Sequence, residues 1–376
     1  AKETDAAVQD ALARTTALLH LSSPDKAVKL AAIERLSSSR DRDVREALAQ
    51  LAEVETDPQL KAALKTAVGA IDLRLSIANF FTSVFSGLSL GSILLLAALG
   101  LAITFGLMGI INMAHGEMLM LGAYSTYVVQ RFFSNHFPGA LDWYPLAALP
   151  VAFLVAAGVG ALMERTVIRH LYGRPLETLL ATWGLSLILI QAVRSIFGPQ
   201  NVVVANPSWM SGSLDLYGVV MPYNRLVIIV FAFFVLAIVW FVLNRTRMGL
   251  YVRGVMQNRP MADATGVPTA RVDMMAFALG SGVAGLGGVA LSQIGNVGPE
   301  LGQAYIIDSF MVVVLGGVGQ LAGTVVAALG LGQINKILEP YAGAVLGKIA
   351  VLVLIILFIQ KRPSGLFALK GRSADT

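Results

Sequence analysis

The longest uncharged stretch of this chain is too long and too apolar for an ordinary soluble helix. No Asp, Glu, Lys or Arg occurs between Ile77 and His115, and about 20 apolar residues are enough to cross the hydrocarbon core of a bilayer. Only 14% of all residues are charged and none is cysteine, whereas soluble domains carry about a quarter charged residues. The sequence therefore predicts a membrane protein, and it excludes disulfide frameworks, thiol catalysis and cysteine-ligated metal sites.

Apolar periodicity predicts an all-α polytopic fold with about seven full spans and one glycine-rich hairpin. Glycines also crowd the span near residue 280 and the hairpin, which predicts close approach of helix backbones. The hairpin of two shorter helices is predicted at 304–338. The full spans are predicted at 78–107, 109–130, 145–168, 176–197, 223–243, 272–293 and 343–360.

Basic residues set the expected orientation. Residues 1–76 hold 11 basic and 12 acidic side chains, whereas 77–376 hold 17 and 11. The basic excess thus belongs to the membrane part and argues against nucleic-acid binding. Lys and Arg concentrate in cytoplasmic loops, which predicts a multi-pass membrane protein with an extracytoplasmic amino terminus and a cytoplasmic carboxyl terminus. The clusters are Arg165, Arg169 and Arg174; Arg245, Arg247, Arg253, Arg259 and Arg271; and Lys361, Arg362, Lys370 and Arg372.

Residues 1–76 are predicted to form a separate extracytoplasmic domain of short amphipathic helices, ahead of a membrane domain at 77–376. Ser23-Pro24 and Asp57-Pro58 each place a capping side chain before a proline at the first helical position. Several similar helices in succession resemble a helical-repeat array, and a generic helical bundle is the alternative. The chain begins at Ala1, which is expected for a mature protein after removal of a secretory signal.

The second predicted span contains an amide, an imidazole and a carboxylate within six positions: Asn112, His115 and Glu117. Polar and ionisable groups at that depth are costly unless they are paired or line a cavity, so they indicate a functional site. A broken helix here would also free backbone groups for a polar substrate. The alternative is that these side chains cap or brace helices near the interface.

The most basic loop, 244–271, contains the sequence Arg253–Pro268. Asn258 can cap a short helix that starts at Pro260, and Gly266 can end it. Such a helix with basic flanks is typical of a docking element for a cytoplasmic partner, and a loop that binds lipid headgroups is the alternative. Gly343–Ile349 departs from a phosphate-binding loop in spacing and lacks its Ser/Thr, so ATP would have to be bound by another chain.

These stretches resemble the permease subunits of branched-chain amino acid-type ABC importers. The resemblance covers roughly residues 80–370 and is closest in Gly109–Gly122, Arg253–Gly266, Val313–Gly319 and Arg362–Phe367. Residues 1–76 depart from the amino acid permeases, and a helical extension before the first span instead resembles the urea branch of the family. Urea is therefore the expected substrate, and a branched-chain amino acid is the alternative.

The resemblance implies a transport subunit and not an enzyme. Expected partners are a second homologous permease chain, two cytoplasmic ATPase subunits that carry ATP and Mg²⁺, a periplasmic substrate-binding protein and membrane lipid. No cofactor is expected in this chain. The residues that match the family's ATPase-coupling segment are Arg253, Gln257, Asn258, Arg259, Ala262 and Gly266.

A path for urea needs amides, hydroxyls and carbonyls with aromatic walls. An amino acid would also need partners for its two charges, and Arg194 and Asp308 could supply them. A passive urea channel would leave the docking loop unexplained, and the intramembrane polar group argues against a receptor or scaffold. The predicted path residues are Asn112, His115, Glu117, Thr182, Trp183, Gln293 and Asn296.

Overall fold

The computed structural model of the chain describes residues 6–216, 219–363 and 365–367. Lys370 and Arg372 of the third basic cluster lie outside these residues. The described chain divides into two compact units, of which one comprises the residues up to Ser83 with Leu214–Val220, and the other comprises the rest. Both are built almost entirely from α-helices, so the predicted all-α class is confirmed.

The first unit contains three short helices, α1 (Ala6–His20), α2 (Lys26–Leu36) and α3 (Arg42–Val54), followed by the beginning of the long helix α4 (Pro58–Met108). Each contributes apolar side chains to one shared core, which removes their hydrophobic faces from water. The largest fully buried side chains of this core are Leu36, Leu48, Leu64 and Ile71.

One of the two helix starts predicted in this unit is confirmed and the other is wrong. The carboxylate of Asp57 accepts a hydrogen bond from the backbone N–H two residues later (2.8 Å) at the start of α4. Helix α2, in contrast, begins at Lys26 and not at Pro24, because the carboxylate of Asp25 accepts the corresponding bond (2.9 Å). The hydroxyl of Ser23 accepts instead from the N–H of Asp25 (3.2 Å).

The second unit contains the remainder of α4 and nine further helices. Short 3₁₀ turns lie at Pro138–Trp143, Ile168–Leu171 and Ser208–Met210. The strands β1 (Ser213–Leu216) and β2 (Val219–Pro222), most of whose residues belong to the first unit, form a two-stranded sheet. The helices are α5 (His115–His136), α6 (Tyr144–Thr166), α7 (Pro175–Phe197), α8 (Tyr223–Arg245), α9 (Arg247–Gln257), α10 (Arg259–Ala264), α11 (Thr269–Ser292), α12 (Leu301–Gly316) and α13 (Leu321–Lys361).

Six of the described helices are long and apolar enough to cross a membrane: α4, α6, α7, α8, α11 and α13. Helix α5, predicted as a further span at 109–130, is not among them and is helical only from His115. It packs instead against α6, α11 and α12 inside the second unit. Because other helices cover it, this segment tolerates polar groups that a lipid-facing span would exclude.

The predicted glycine-rich hairpin is confirmed as α12 and the first part of α13. Gly317 and Gly319, in the turn between them, have φ of 99° and 80°, a conformation that side-chain-bearing residues rarely adopt. Helix α13 is interrupted at Gly343, where φ is 75° and ψ is 165°. The last predicted span, 343–360, therefore begins at a real change in backbone direction.

Glycines let α11 approach its neighbours closely, as the sequence predicted. A Cβ atom on Gly280 would collide with the backbone of Gly100 in α4, and one on Gly122 of α5 would collide with the carbonyl of Gly285. On the other side of α11, Gly160 of α6 lies against the side chain of a serine. The backbones of α4, α5, α6 and α11 therefore form one tightly packed group.

Replacing Gly122 by alanine is expected to destabilise the protein by about 1–3 kcal/mol, because the new methyl group must displace the backbone of Gly285. The matched control is Gly184→Ala in α7, where nothing lies within 4 Å of the added Cβ atom. Thermal unfolding of the purified proteins in detergent measures the difference. Equal melting temperatures for the two variants would contradict this description of the packing.

Candidate functional site

The backbone is not helical between Gly109, where φ is 65°, and Ala114. Two side chains satisfy backbone groups that this break exposes. The N–H of Met113 donates to Oγ1 of Thr182 in α7 (3.1 Å), and the N–H of Ala114 donates to Oδ1 of Asn112 (3.0 Å). Irregular backbone at membrane depth is tolerated only where protein or a water-filled cavity surrounds it. The broken helix that the sequence suggested is thus present, and side chains hold it.

Helix α7 carries a row of three buried hydroxyl groups. Thr178, Thr182 and Ser186 lie four residues apart on one face of the helix. The hydroxyl of Thr178 donates to backbone carbonyl oxygens just before the start of α7, whereas that of Thr182 contacts the break. Ser186 donates a hydrogen bond to Oε1 of Glu117 in α5 (2.8 Å). Of these three residues only Thr182 was predicted to line the substrate path, although their regular spacing of four residues is visible in the sequence.

Three predicted residues each keep one buried polar atom without a hydrogen-bond partner among the described residues: Asn112 Nδ2, His115 Nδ1 and Glu117 Oε2. The other ring nitrogen of His115 lies 2.9 Å from the carbonyl oxygen of Ala97. An unpaired buried polar group costs about 1–3 kcal/mol. Three such atoms lie within six residues of one another at this break.

The structure places the other predicted path residues elsewhere. Trp183 is 52% exposed, because it lies about 100° around the axis of α7 from its buried neighbour Thr182. Gln293, just beyond the end of α11, accepts a hydrogen bond from the hydroxyl of Tyr144 (3.1 Å). Asn296 is exposed in the loop that follows. The break thus brings together Asn112, His115, Glu117 and Thr182, and leaves out the remaining three.

The two charged residues considered for an amino acid substrate already have partners in this chain. Arg194 forms an ion pair with Glu300. The carboxylate of Asp308 lies 3.0 Å from the ammonium group of Lys348. Neither would meet the charges of a bound amino acid without first giving up its ion pair.

The basic loop folds as two short helices, of which the capping pattern predicted α10 but not α9. Oδ1 of Asn258 accepts from the N–H of Met261 (3.0 Å) at the start of α10, and Gly266, with φ of 84°, follows its end. Ala262 is buried, whereas Gln257 and Met261 are exposed. A shallow cavity of about 350 Å³ lies between the two helices. The guanidinium group of Arg253 donates to the carbonyl oxygen of Leu243 at the end of α8 (2.5 Å).

A group of charged side chains lies next to α10. It was not predicted from the sequence. Arg259, the first residue of α10, contacts the carboxylate of Asp273 in α11 (2.5 Å), and its Cζ atom lies 4.6 Å from the centre of the Tyr172 ring. The hydroxyl of Tyr172 donates to Glu164 in α6 (3.1 Å), and Glu164 also pairs with Arg169 (3.2 Å).

Both carboxylates of this group are almost fully buried. Burial, followed by the charges of Asp273 and Glu164, raises the pKa of Tyr172 far above its usual value, so its hydroxyl stays protonated as a donor. One sequence feature could have revealed this group: Glu164 near the end of α6 and Asp273 near the start of α11 are acidic residues in regions where basic residues predominate.

The sequence of the chain is similar to those of known transport permeases. The family model "Branched-chain amino acid transport system / permease component" matches residues 83–359. The "High-affinity branched-chain amino acid transport system permease protein LivH" of Salmonella typhimurium (strain LT2) is 28% identical over 295 residues, which cover 76% of this chain and 95% of LivH. The corresponding protein BraD of Pseudomonas aeruginosa is 27% identical over 297 residues, which cover 77% and 96%.

A more distant match is the "Ribose import permease protein RbsC" of Escherichia coli K12, which is 24% identical over 268 residues covering 69% of this chain and 78% of RbsC. No solved structure matches the chain. The family match covers well over half of the sequence and contains the broken helix, the hydroxyl face of α7 and the α9–α10 segment. The chain is therefore a member of the branched-chain amino acid transport permease family.

Proposed function

We propose that this chain is a permease subunit of an ATP-driven importer, and that a branched-chain amino acid is its first candidate substrate. The observation that carries the proposal is the set of unpaired buried polar atoms at the break between α4 and α5. The substrate class is supported by LivH and BraD, whose names describe branched-chain amino acid transport. The chain moves its substrate by alternating access, without covalent chemistry.

The proposed substrate path runs past the non-helical break between α4 and α5. Asn112 and His115 supply groups that can donate or accept hydrogen bonds, Glu117 supplies a carboxylate oxygen, and the hydroxyls of Thr182 and Ser186 orient this wall. A translocation site must bind its substrate weakly enough to release it, and a few well-placed polar groups in an apolar surrounding meet that need.

The three remaining predicted residues have proposed roles away from the break. Gln293 and Asn296 contribute to the outer mouth of the path, because the charge bias places the loop 294–303 outside. Trp183 lies on the outer face of α7. It therefore reaches the path only where a second permease chain packs against that face.

The importer is assembled from several chains. This chain pairs with a second homologous permease chain in the inner membrane, with membrane lipid around the pair, and receives its substrate from a periplasmic binding protein. Two cytoplasmic ATPase subunits dock on α9 and α10, the coupling segment that contains Arg253, Gln257, Asn258, Arg259, Ala262 and Gly266. Charge bias supports a periplasmic amino terminus and a cytoplasmic carboxyl terminus.

Urea is the second candidate substrate. The observation that favours it is the helical unit ahead of residue 83, where the family match begins. In addition, Arg194 and Asp308 are engaged in ion pairs, so the groups left free at the break suit a small neutral amide.

Uptake of labelled leucine and labelled urea into vesicles that contain this chain with its co-purifying subunits separates the two candidates. ATP-dependent leucine uptake that unlabelled leucine abolishes and unlabelled urea does not is the expected result. The reverse pattern would replace the amino acid by urea and keep the importer. Urea flux that continues without ATP would indicate a passive channel and overturn the proposal.

A further inference from the structure

We infer that Glu164 and Asp273 are positioning residues that tie the coupling helix α10 to the membrane helices α6 and α11. The unit they form with Arg169, Tyr172 and Arg259 is called the ionic anchor below. This inference rests on the proposed function and adds the route by which movement of the coupling segment reaches the substrate path.

The charges of the ionic anchor are arranged so that it resists being pulled apart. The carboxylates of Glu164 and Asp273 are buried, whereas the guanidinium side chains of Arg169 and Arg259 are 37% and 42% exposed. Withdrawal of an arginine would leave a buried carboxylate without its counter-charge, which typically costs several kcal/mol. The arginines and the carboxylates therefore move together.

Arg259 connects three separate elements of the fold. It begins α10, its guanidinium group pairs with Asp273 four residues after the start of α11, and the same group lies over the ring of Tyr172 in the loop before α7. Tyr172 in turn donates to Glu164 near the end of α6. A displacement of α10 thus acts directly on the ends of α6 and α11, through a charge pair and a cation–π contact.

Close helix packing carries such a displacement further. Helix α11 lies against α5 with Gly285 in contact with Gly122, so neither backbone can shift alone without a clash or a gap. Glu117 lies on α5, little more than one turn before Gly122. A continuous packed route therefore runs from α10 through α11 to the polar groups at the break.

The test uses the intact importer and four variants of this chain. They are Asp273→Asn, Arg259→Gln, the double variant with both changes, and the control Glu177→Gln, which breaks the exposed pair with Arg174 on the same predicted side. Two quantities are measured: the ratio of ATPase rates with and without substrate-loaded binding protein, and the change in backbone hydrogen exchange of α5 and α11 on vanadate trapping of nucleotide.

The double variant separates a role of the ionic anchor in coupling ATP hydrolysis to transport from a role in protein stability alone. Loss of both charges leaves no buried carboxylate without its arginine at this pair, so the melting temperature of the double variant is expected to recover relative to Arg259→Gln, which leaves the buried Asp273 unpaired. Its stimulation ratio is expected to remain about tenfold below that of the unaltered chain, a typical size for a coupling between sites. Its nucleotide-dependent exchange change in α11 is expected to be lost, and the control is expected to match the unaltered chain in every measurement.

Recovery of both the stimulation ratio and the exchange change together with stability in the double variant would overturn the inference. Such a result would leave the ionic anchor with a structural role alone. Failure of the proposed function has a different signature. In that case the unaltered chain itself would neither retain ATPase subunits nor show a nucleotide-dependent change in α11.

Discussion

Replacing Glu117 by glutamine is expected to slow ATP-dependent substrate uptake about 10- to 100-fold. The amide keeps the shape of the side chain, but its NH2 group is a donor that cannot replace the acceptor capacity of both carboxyl oxygens, of which Oε1 accepts from Ser186 and Oε2 has no partner among the described residues. Leaving a buried polar group unsatisfied costs about 1–3 kcal/mol, which corresponds to that range of rates. Initial rates of labelled substrate uptake into reconstituted vesicles measure the effect.

Thr126→Ala is the matched control for this substitution. Thr126 is also buried on α5, but among the described residues its hydroxyl donates to the carbonyl oxygen of Gly122 in its own helix (2.9 Å). Its uptake rate is expected to stay within about twofold of the unaltered chain, because such a bond contributes little to helix stability. Equal losses in both variants would show that α5 tolerates no polar change and would withdraw the path role of Glu117.

Replacing Met261 by glutamate is expected to abolish docking of the ATPase subunits. Met261 is 61% exposed on α10 and borders the cavity between α9 and α10, so the substitution leaves the fold of this chain intact. A carboxylate in the apolar centre of an interface removes about 2–4 kcal/mol of binding free energy, or roughly 30- to 1000-fold in affinity. Co-purification of the ATPase subunits with the variant chain measures the loss.

Ala270→Glu is the control for charge alone. Ala270 is exposed near the start of α11, outside α9 and α10, and a carboxylate is favourable in the first turn of a helix. This variant is expected to retain its ATPase subunits. If Met261→Glu retained them equally well, α10 would not be the docking element, and the coupling role of its residues would have to be abandoned.

Short-range sequence patterns predicted those turns and helices of the fold that depend on the length of an apolar run or on the position of a glycine. The hairpin turn near Gly317 and the bend at Gly343 occur where glycines interrupt long apolar runs. The short helix α10 begins after Asn258 as expected, because capping involves residues only three positions apart. Ser23 was a wrong cap because Asp25, two residues later, caps α2 by accepting a hydrogen bond from the N–H of Ala27.

The candidate site was predicted only in part. Asn112, His115 and Glu117 were recognisable because polar groups are unexpected in an apolar span. Ser186 was missed because its importance comes from a contact with Glu117, 69 residues away in the chain. Trp183 was selected by residue type, although rotation about the axis of α7 turns it away from its neighbour Thr182.

The sequence by itself determined that this chain is an all-α membrane protein, where several of its apolar helices lie, and that a short capped helix lies in its most basic loop. These properties follow from apolar length, glycine and capping patterns that act over a few residues. Only the tertiary structure decided that α5 is covered by other helices, that the hydroxyl of Thr182 in α7 contacts the break, and that Arg259 meets Asp273 beside Tyr172. Such contacts depend on how helices rotate and cross, and close packing between distant segments determines both.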